Sequence, residues 1–364
     1  MAKPPRRAEL PDQPPERDLV DRLRAVLQED GVVALPTETV YGLAVRADHE
    51  AALERLRELK GRPVDMPLTW HVGSSRALQR FERVSPMALR LVARYWPGPL
   101  TLVLPGVPRG LELVTNNGWT GVRLPAHRGT AGILDALEFP VVMTSANRHG
   151  GAPATTADVL EREFGAGVDW LLDGGPSRLS ESSSVLRLGP GHFELLRAGL
   201  FTLEQLRAVA GLRIALVCTG NTCRSPMAEG LARKLLAERL SVRSDELGQF
   251  GFEIVSMGVQ ATVGQPASKH ALGVMKDQGI DLSGHESRAA AAEDISRFEH
   301  VYCMTRGHRA ALIGLLPPGK DRKIELLDPE GRDVPDPIGG SREDYEHTAD
   351  SIRASLALRL DSWA

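Results

Sequence analysis

The stretch "IALVCTGNTCRSPMAEG", residues 214–230, decides how the second half of this chain is read. An apolar run ends at Cys218, four small polar residues lead to Cys223, and Arg224 and Ser225 open a pattern that puts Met227, Leu231 and Leu235 on one face. The spacing predicts a strand over 212–217 and a helix over 225–240, with Ser225 as N-cap and Pro226 at the first helical position. A loop between a strand's carboxyl end and a helix's amino end turns its amides toward an anion, and the helix dipole adds to that field. Gly220 and Asn221 tolerate the positive φ that such a curled loop demands. Arg224 supplies a planar fork for two phosphoryl oxygens, and the field makes Cys218 a nucleophile toward phosphorus. The plain alternative is a buried strand cysteine, which the loop around it argues against. Phosphoryl transfer to sulfur also needs an acid for the leaving group, and "DVPDPIGGSREDYE" (333–346) offers Asp336 before a proline in a Gly-rich loop.

At 364 residues the chain is too long for one ordinary core and suits two domains. It is 42% hydrophobic and 25% charged with a net charge of −3, so it lacks the basic excess of a general nucleic-acid binder. Three cysteines are too few for a disulfide framework, which favours a reducing cytoplasm. The opening "MAKPPRRAELPDQPPERD" is proline-rich and has no apolar core, so a signal peptide is not expected and residues 1–16 read as a disordered tail. The apolar runs are strand-sized, so no membrane association is expected.

From Leu19 onward, apolar runs alternate with helical patterns. "GVVALP" (31–36), "PLTLVLPG" (99–106), "GVRLP" (121–125) and "FPVVMTSAN" (139–147) read as strands, and "AALERLRELKG" (51–61) and "FTLEQLRAVAG" (201–211) as helices. A fresh strand-turn-helix begins at Arg213. The expected division is therefore a first domain over 17–205, a linker over 206–211 and a second domain over 212–364, each α/β and each different.

In the first domain, polar clusters stand at the ends of apolar runs, where α/β sheets gather their ligands. "PTETVYGL" places Thr37, Glu38, Thr39 and Tyr41 there, "ELKGRP" sets Lys60 and Arg62 around a glycine, and "TSAN" holds Ser145 and Asn147. Two cations in a glycine turn suit polyphosphate, and hydroxyls with an amide orient polar substrates. Taken singly, each cluster also reads as a helix end, a cap or an edge charge. Neither a strand-linked GxGxxG nor a Walker loop is present, which excludes the standard nucleotide sites.

Residues 212–364 resemble the low-molecular-weight protein-tyrosine-phosphatase family through "CTGNTCRSP", "GHESRAA" (284–290), "HVYCMTRGHRAAL" (300–312) and "PDPIGGS". The resemblance implies a four-stranded parallel, Rossmann-like sheet, with Cys218 as nucleophile, Arg224 as transition-state clamp and Asp336 as general acid. Ser225 would bond the Cys218 sulfur, while Thr219, Gly220, Asn221, Thr222 and Cys223 complete the phosphate loop. Cys223 is also the thiol implied to form a reversible disulfide with Cys218. A phosphoprotein is the implied substrate. Thr222 and the "DPxGGS" tail are similar to the protein-arginine-phosphatase branch, and Ile338 and Gly339 stand where phosphotyrosine enzymes commonly carry aromatics, so phosphoarginine and phosphotyrosine both stay open. Arsenate reduction on this fold needs further redox cysteines, and Cys303 is the one left, best suited to packing.

Residues from about 17 to 200 resemble the YrdC-like threonylcarbamoyl-AMP synthase family through "PTETVYGL", "KGRP", "RYWPGPLTLVLP", "VRLP" and "TSAN". This implies a twisted mixed α/β sheet and condensation of L-threonine, bicarbonate and ATP, with Mg²⁺ on the triphosphate, to threonylcarbamoyl-AMP and pyrophosphate. Thr39, His71, Arg123, Ser145 and Ser183 would surround threonine, and Lys60, Arg62, Asn147, Thr155 and Arg197 would surround ATP. No residue is assigned to a protein-held metal. Transfer RNA and the machinery that loads it with threonylcarbamoyl are the implied partners. Met66, the "SSSV" run and Ala198 depart from the family's usual residues. A first domain that only binds nucleotide or RNA is the alternative of another class.

Overall fold

A computed structural model describes residues 6–61, 68–148, 151–317 and 323–364. The chain divides into two compact units, Met1–Leu206 and Arg207–Ala364.

The first unit is built on a ten-stranded mixed sheet. In chain order its strands are β1 (Arg6–Glu9), β2 (Val33–Leu35), β3 (Gly42–Arg46), β4 (Thr69–His71), β5 (Leu100–Pro105), β6 (Trp119–Arg123), β7 (Val141–Ser145), β8 (Trp170–Asp173), β9 (Ser184–Gly189) and β10 (His192–Arg197). They lie in the order β1-β8-β2-β3-β7-β4-β6-β5-β9-β10. Helices α1 (Arg17–Gln28), α2 (Glu50–Lys60), α3 (Pro86–Tyr95), α4 (Arg128–Ala136) and α5 (Ala157–Phe164) accompany the sheet, and α6 (Leu203–Ala210) spans the division between the units. Val20, Leu23 and Leu27 recur at helical spacing along α1 and pack with Leu35, Ala44, Met143 and Leu172 in one apolar cluster.

Residues 6–16, expected as a disordered tail, are corrected by the structure. Arg6–Glu9 pairs in parallel with Trp170–Asp173, and Leu10 is buried against Gly129. Arg7 anchors this edge through ion pairs to Asp158, Glu161 and Asp173. The prolines that signalled disorder leave this short run between them free to pair, and a single buried leucine adds about 2 kcal/mol.

The second unit carries a four-stranded sheet in the order β12-β11-β13-β14. Its strands are β11 (Arg213–Cys218), β12 (Glu253–Gly258), β13 (His300–Cys303) and β14 (Ile324–Leu326), and every pairing is parallel. The expected parallel sheet is what the chain forms. Helices α7 (Arg224–Leu240), α8 (Lys269–Asp277), α9 (Ala292–Ser296), α10 (Arg306–Leu315) and α11 (Arg342–Trp363) complete it. The central strand β11 is buried from Ile214 to Cys218, as its unbroken apolar run requires in a sheet covered on both faces. Cys303 lies in the apolar cluster with Val217, Val301 and Leu312, and burial pushes its thiol up to about 12, as befits packing.

Candidate functional site

The strand period of two builds the first site. Along β6, Trp119, Gly121 and Arg123 face one side, while Thr120 and Val122 are buried on the other. Thr101 and Val103 of β5, Val185 and Arg187 of β9, and Thr69 and His71 of β4 join that side. The result is a cavity of about 490 Å³ whose walls include Thr39, His71, Arg123, Ser145, Ser183 and Arg197. All five residues implied for threonine, and one of those implied for ATP, therefore meet in one place.

Arg123 is buried and held by three hydrogen bonds within the protein. Its guanidinium donates to Glu38 Oε1 at 2.7 Å, to Thr39 Oγ1 at 2.8 Å and to the Gly98 carbonyl at 3.2 Å. Glu38 Oε2 accepts the Ala126 N–H at 2.8 Å, so both charges of this buried pair are hydrogen-bonded. Opposite them, Arg197 donates to the Ser183 carbonyl at 3.0 Å and to Ser183 Oγ at 2.9 Å, and Ser183 Oγ lies 3.0 Å from Thr101 Oγ1. His71 donates from Nδ1 to the Thr69 carbonyl at 3.0 Å, which leaves Nε2 as an acceptor. Burial, and then the nearby Arg123 charge, push the His71 pKa down to about 3, so the ring is neutral.

Lys60 and Asn147 reach this site through Ser145. The buried Lys60 Nζ donates to the Ser145 carbonyl and, at 3.2 Å, to Thr144 Oγ1. Ser145 Oγ donates to Asn147 Oδ1 at 2.5 Å, and Asn147 Nδ2 donates to the carbonyls of Arg148 and Gly151. Thr155 is not part of the cavity wall; its carbonyl accepts the Ser177 N–H at 2.8 Å. Arg62 and Met66 lie outside the described residues. Glu38 was seen in the sequence as one of a polar cluster, but nothing there pointed to Arg123, 85 positions away.

The second site forms where β11 turns into α7. Asn221, at φ +56°, makes the turn, and Gly220 keeps a negative φ, so one left-handed residue suffices where two were allowed for. Each polar group of Asn221 then fixes part of the loop. Its N–H donates to Cys218 Sγ at 3.3 Å, and Nδ2 donates to Ser225 Oγ at 2.9 Å. Oδ1 accepts the Arg288 N–H at 2.8 Å, and the carbonyl accepts from His285 Nε2 at 2.7 Å. Gly258, at the end of β12, allows the loop to close: a Cβ there would stand 2.5 Å from the Thr219 carbonyl oxygen.

Ser225 is not the helix N-cap. The helix starts at Arg224, with Cys223 in the cap position, because the curl of the loop brings Arg224 into the first turn. The Ser225 hydroxyl is instead 2.9 Å from Cys218 Sγ and 3.2 Å from the Met257 carbonyl. Arg224 Nη2 donates to Asp336 Oδ2 at 2.5 Å, which joins two implied catalytic groups 112 residues apart. Thr222 is half-buried, and its carbonyl accepts the Ser268 N–H. Cys223 Sγ lies 3.3 Å from the Tyr345 hydroxyl, a partner with no signal in the sequence. Ile338, next to the acid loop, is largely exposed.

Fold and sites together define a two-domain α/β protein, with a polar cavity in one unit and a cysteine at the turn from a strand into a helix in the other. Residues 25–199 match the Sua5/YciO/YrdC family model, described as telomere recombination, and residues 213–360 match that of the low molecular weight phosphotyrosine protein phosphatases. The threonylcarbamoyl-AMP synthase of Thiobacillus denitrificans is 38% identical over 48% of this chain and 93% of its own length. That of Pyrococcus abyssi is 37% identical over 56% of this chain, which spans 61% of the relative's length. Among solved structures, the YwlE arginine phosphatase from Geobacillus stearothermophilus is 33% identical, over 41% of this chain and 90% of its own, with a TM-score of 0.36. The chain belongs to the threonylcarbamoyl-AMP synthase family through its first domain, and its second domain is of the low-molecular-weight phosphatase family.

Proposed function

We propose that the chain is a bifunctional enzyme, a threonylcarbamoyl-AMP synthase joined to a cysteine-dependent protein phosphatase. The observation that carries the first half is the convergence of Thr39, His71, Arg123, Ser145, Ser183 and Arg197 on one cavity. Arg123, with Glu38 fixing its plane, meets the threonine carboxylate, and the free lone pair of His71 Nε2 accepts a hydrogen from the amino acid. The amine attacks bicarbonate with loss of water, the resulting carbamate attacks the α-phosphorus of ATP, and pyrophosphate leaves. No protein nucleophile takes part; the protein positions the reactants and neutralises charge. Lys60, Arg62, Asn147, Thr155 and Arg197 are the proposed ATP residues, and Mg²⁺ enters with the triphosphate as part of the substrate. Threonylcarbamoyl-AMP serves tRNA modification, so the tRNA-loading machinery is the proposed partner and the cytoplasm the proposed compartment. Among the described residues no helix is long and apolar enough to cross a membrane. Pyrophosphate release should require threonine and bicarbonate together, and Lys60→Ala should lower it at least about a hundredfold. No pyrophosphate release under any of these conditions would leave a nucleotide-binding module instead.

In the second half, the Cys218 sulfur attacks the substrate phosphorus and Asp336 gives its proton to the leaving group. Water then hydrolyses the phosphocysteine with Asp336 as base. An incoming phosphoryl group replaces Asp336 on Arg224. Phosphoarginine is the substrate class we favour, on the strength of Thr222 in the loop and of Ile338 and Gly339 in place of aromatics beside Asp336. Thr222→Ile should cut phosphoarginine turnover about tenfold or more while leaving p-nitrophenyl phosphate hydrolysis within about twofold. Equal loss on both substrates would return the choice to phosphotyrosine.

A further inference from the structure

The run "HVYCMTRGHRAAL" contains a histidine to which neither activity gives a task. His308 sits in the first turn of α10, is 6% exposed, and bridges two threonine hydroxyls. Its Nδ1 is 2.9 Å from Thr305 Oγ1, and its Nε2 is 2.8 Å from Thr219 Oγ1 in the phosphate loop. Thr305 caps the helix by accepting the His308 backbone N–H at 3.3 Å, so its own hydrogen needs an acceptor. Among the described residues Nδ1 is the acceptor in reach. That assignment puts the ring hydrogen on Nε2, which donates to Thr219 Oγ1 and leaves the Thr219 hydrogen for an oxygen outside the protein. The opposite tautomer would give Thr305 two donors and leave its hydrogen unused.

The ring is held neutral. Burial, and then the Arg224 charge, lower its pKa to about 4 against the opposing pull of Asp336 and Asp333. A neutral ring relays direction; a charged one would donate at both ends and take away the acceptor of the Thr305 hydrogen.

We propose that His308 is a positioning residue of the phosphatase site, which with Thr305 orients the exposed Thr219 hydroxyl to donate to the phosphoryl group held by the loop. This rests on the phosphatase reading. It adds a side-chain donor beside the loop amides and Arg224, and one held in place before the substrate arrives.

The test is a double-mutant cycle with p-nitrophenyl phosphate as substrate and inorganic phosphate as inhibitor. Thr219→Val and His308→Ala should each lower kcat/KM about tenfold, and the double variant should lose no more than either alone. Both should weaken phosphate inhibition, and His308→Gln, whose amide can accept from Thr305 and donate to Thr219, should recover much of the loss. Thr219 is at the surface, so Thr219→Val keeps the test decisive if His308→Ala folds poorly. Losses that add in the double variant, or Thr219→Val with kcat/KM and phosphate inhibition within about twofold of wild type, overturn the proposal. A wild-type protein with no turnover at all would overturn the phosphatase reading itself.

Discussion

Cys218→Ser should abolish phosphatase turnover, with p-nitrophenyl phosphate hydrolysis at least about a thousandfold down and the fold intact. The change replaces sulfur by oxygen at a side chain whose partners, the Asn221 N–H and the Ser225 hydroxyl, hydrogen-bond either atom. Stability should therefore hold. Reactivity should not, because a serine hydroxyl needs a base to become a nucleophile, and the Cys218 side chain has a backbone amide and a hydroxyl as partners rather than one. Steady-state kinetics beside thermal unfolding separates the two quantities. Retention of a tenth of the activity would show that Cys218 is not the attacking atom. Synthase activity should be unchanged, since its proposed residues all lie within the first unit.

Arg123→Ala should have the largest effect on the first unit. It leaves Glu38, whose side chain is 2% exposed, as a buried charge with one backbone N–H for company. Breaking such a pair from one side costs about 3–5 kcal/mol, a large part of a domain's stability. It also removes the proposed partner of the threonine carboxylate. Adding Glu38→Gln to Arg123→Ala removes the orphaned charge, so denaturant unfolding should show about half of the stability restored while threonine-dependent pyrophosphate release stays absent. If both return together, Arg123 is structural and the threonine assignment falls. If neither single nor double variant changes unfolding, the pair contributes nothing to the fold.

The phosphate loop was legible because its logic is local. Within seven residues a strand ends, a residue able to take positive φ follows, and a helix begins, so the anion site needs no knowledge of the rest of the chain. The helix cap was misplaced by two residues, at Ser225 rather than Cys223, for the same local reason in reverse: Ser225 looks like a cap, yet its hydroxyl is taken by the sulfur and by Asn221. The cleft of the first unit was legible as a set of strand ends, but its internal contacts were not. Glu38 meets Arg123, and Thr101 meets Ser183, only because the sheet order brings distant strands side by side. A period of two tells which residues share a face; it does not tell which strands are neighbours. Strand β1 escaped notice because four residues carry too little periodicity to register.

That short strand bears on how the first unit could be handled alone. A fragment begun at Arg17, the boundary composition suggests, would strip the outer neighbour from Trp170–Asp173 and uncover the space that Leu10 fills. The bare row of amides and carbonyls would then invite pairing with another molecule. Residues 6–10 are therefore part of the folded unit, and a fragment meant to keep Trp170–Asp173 paired on both sides has to include them.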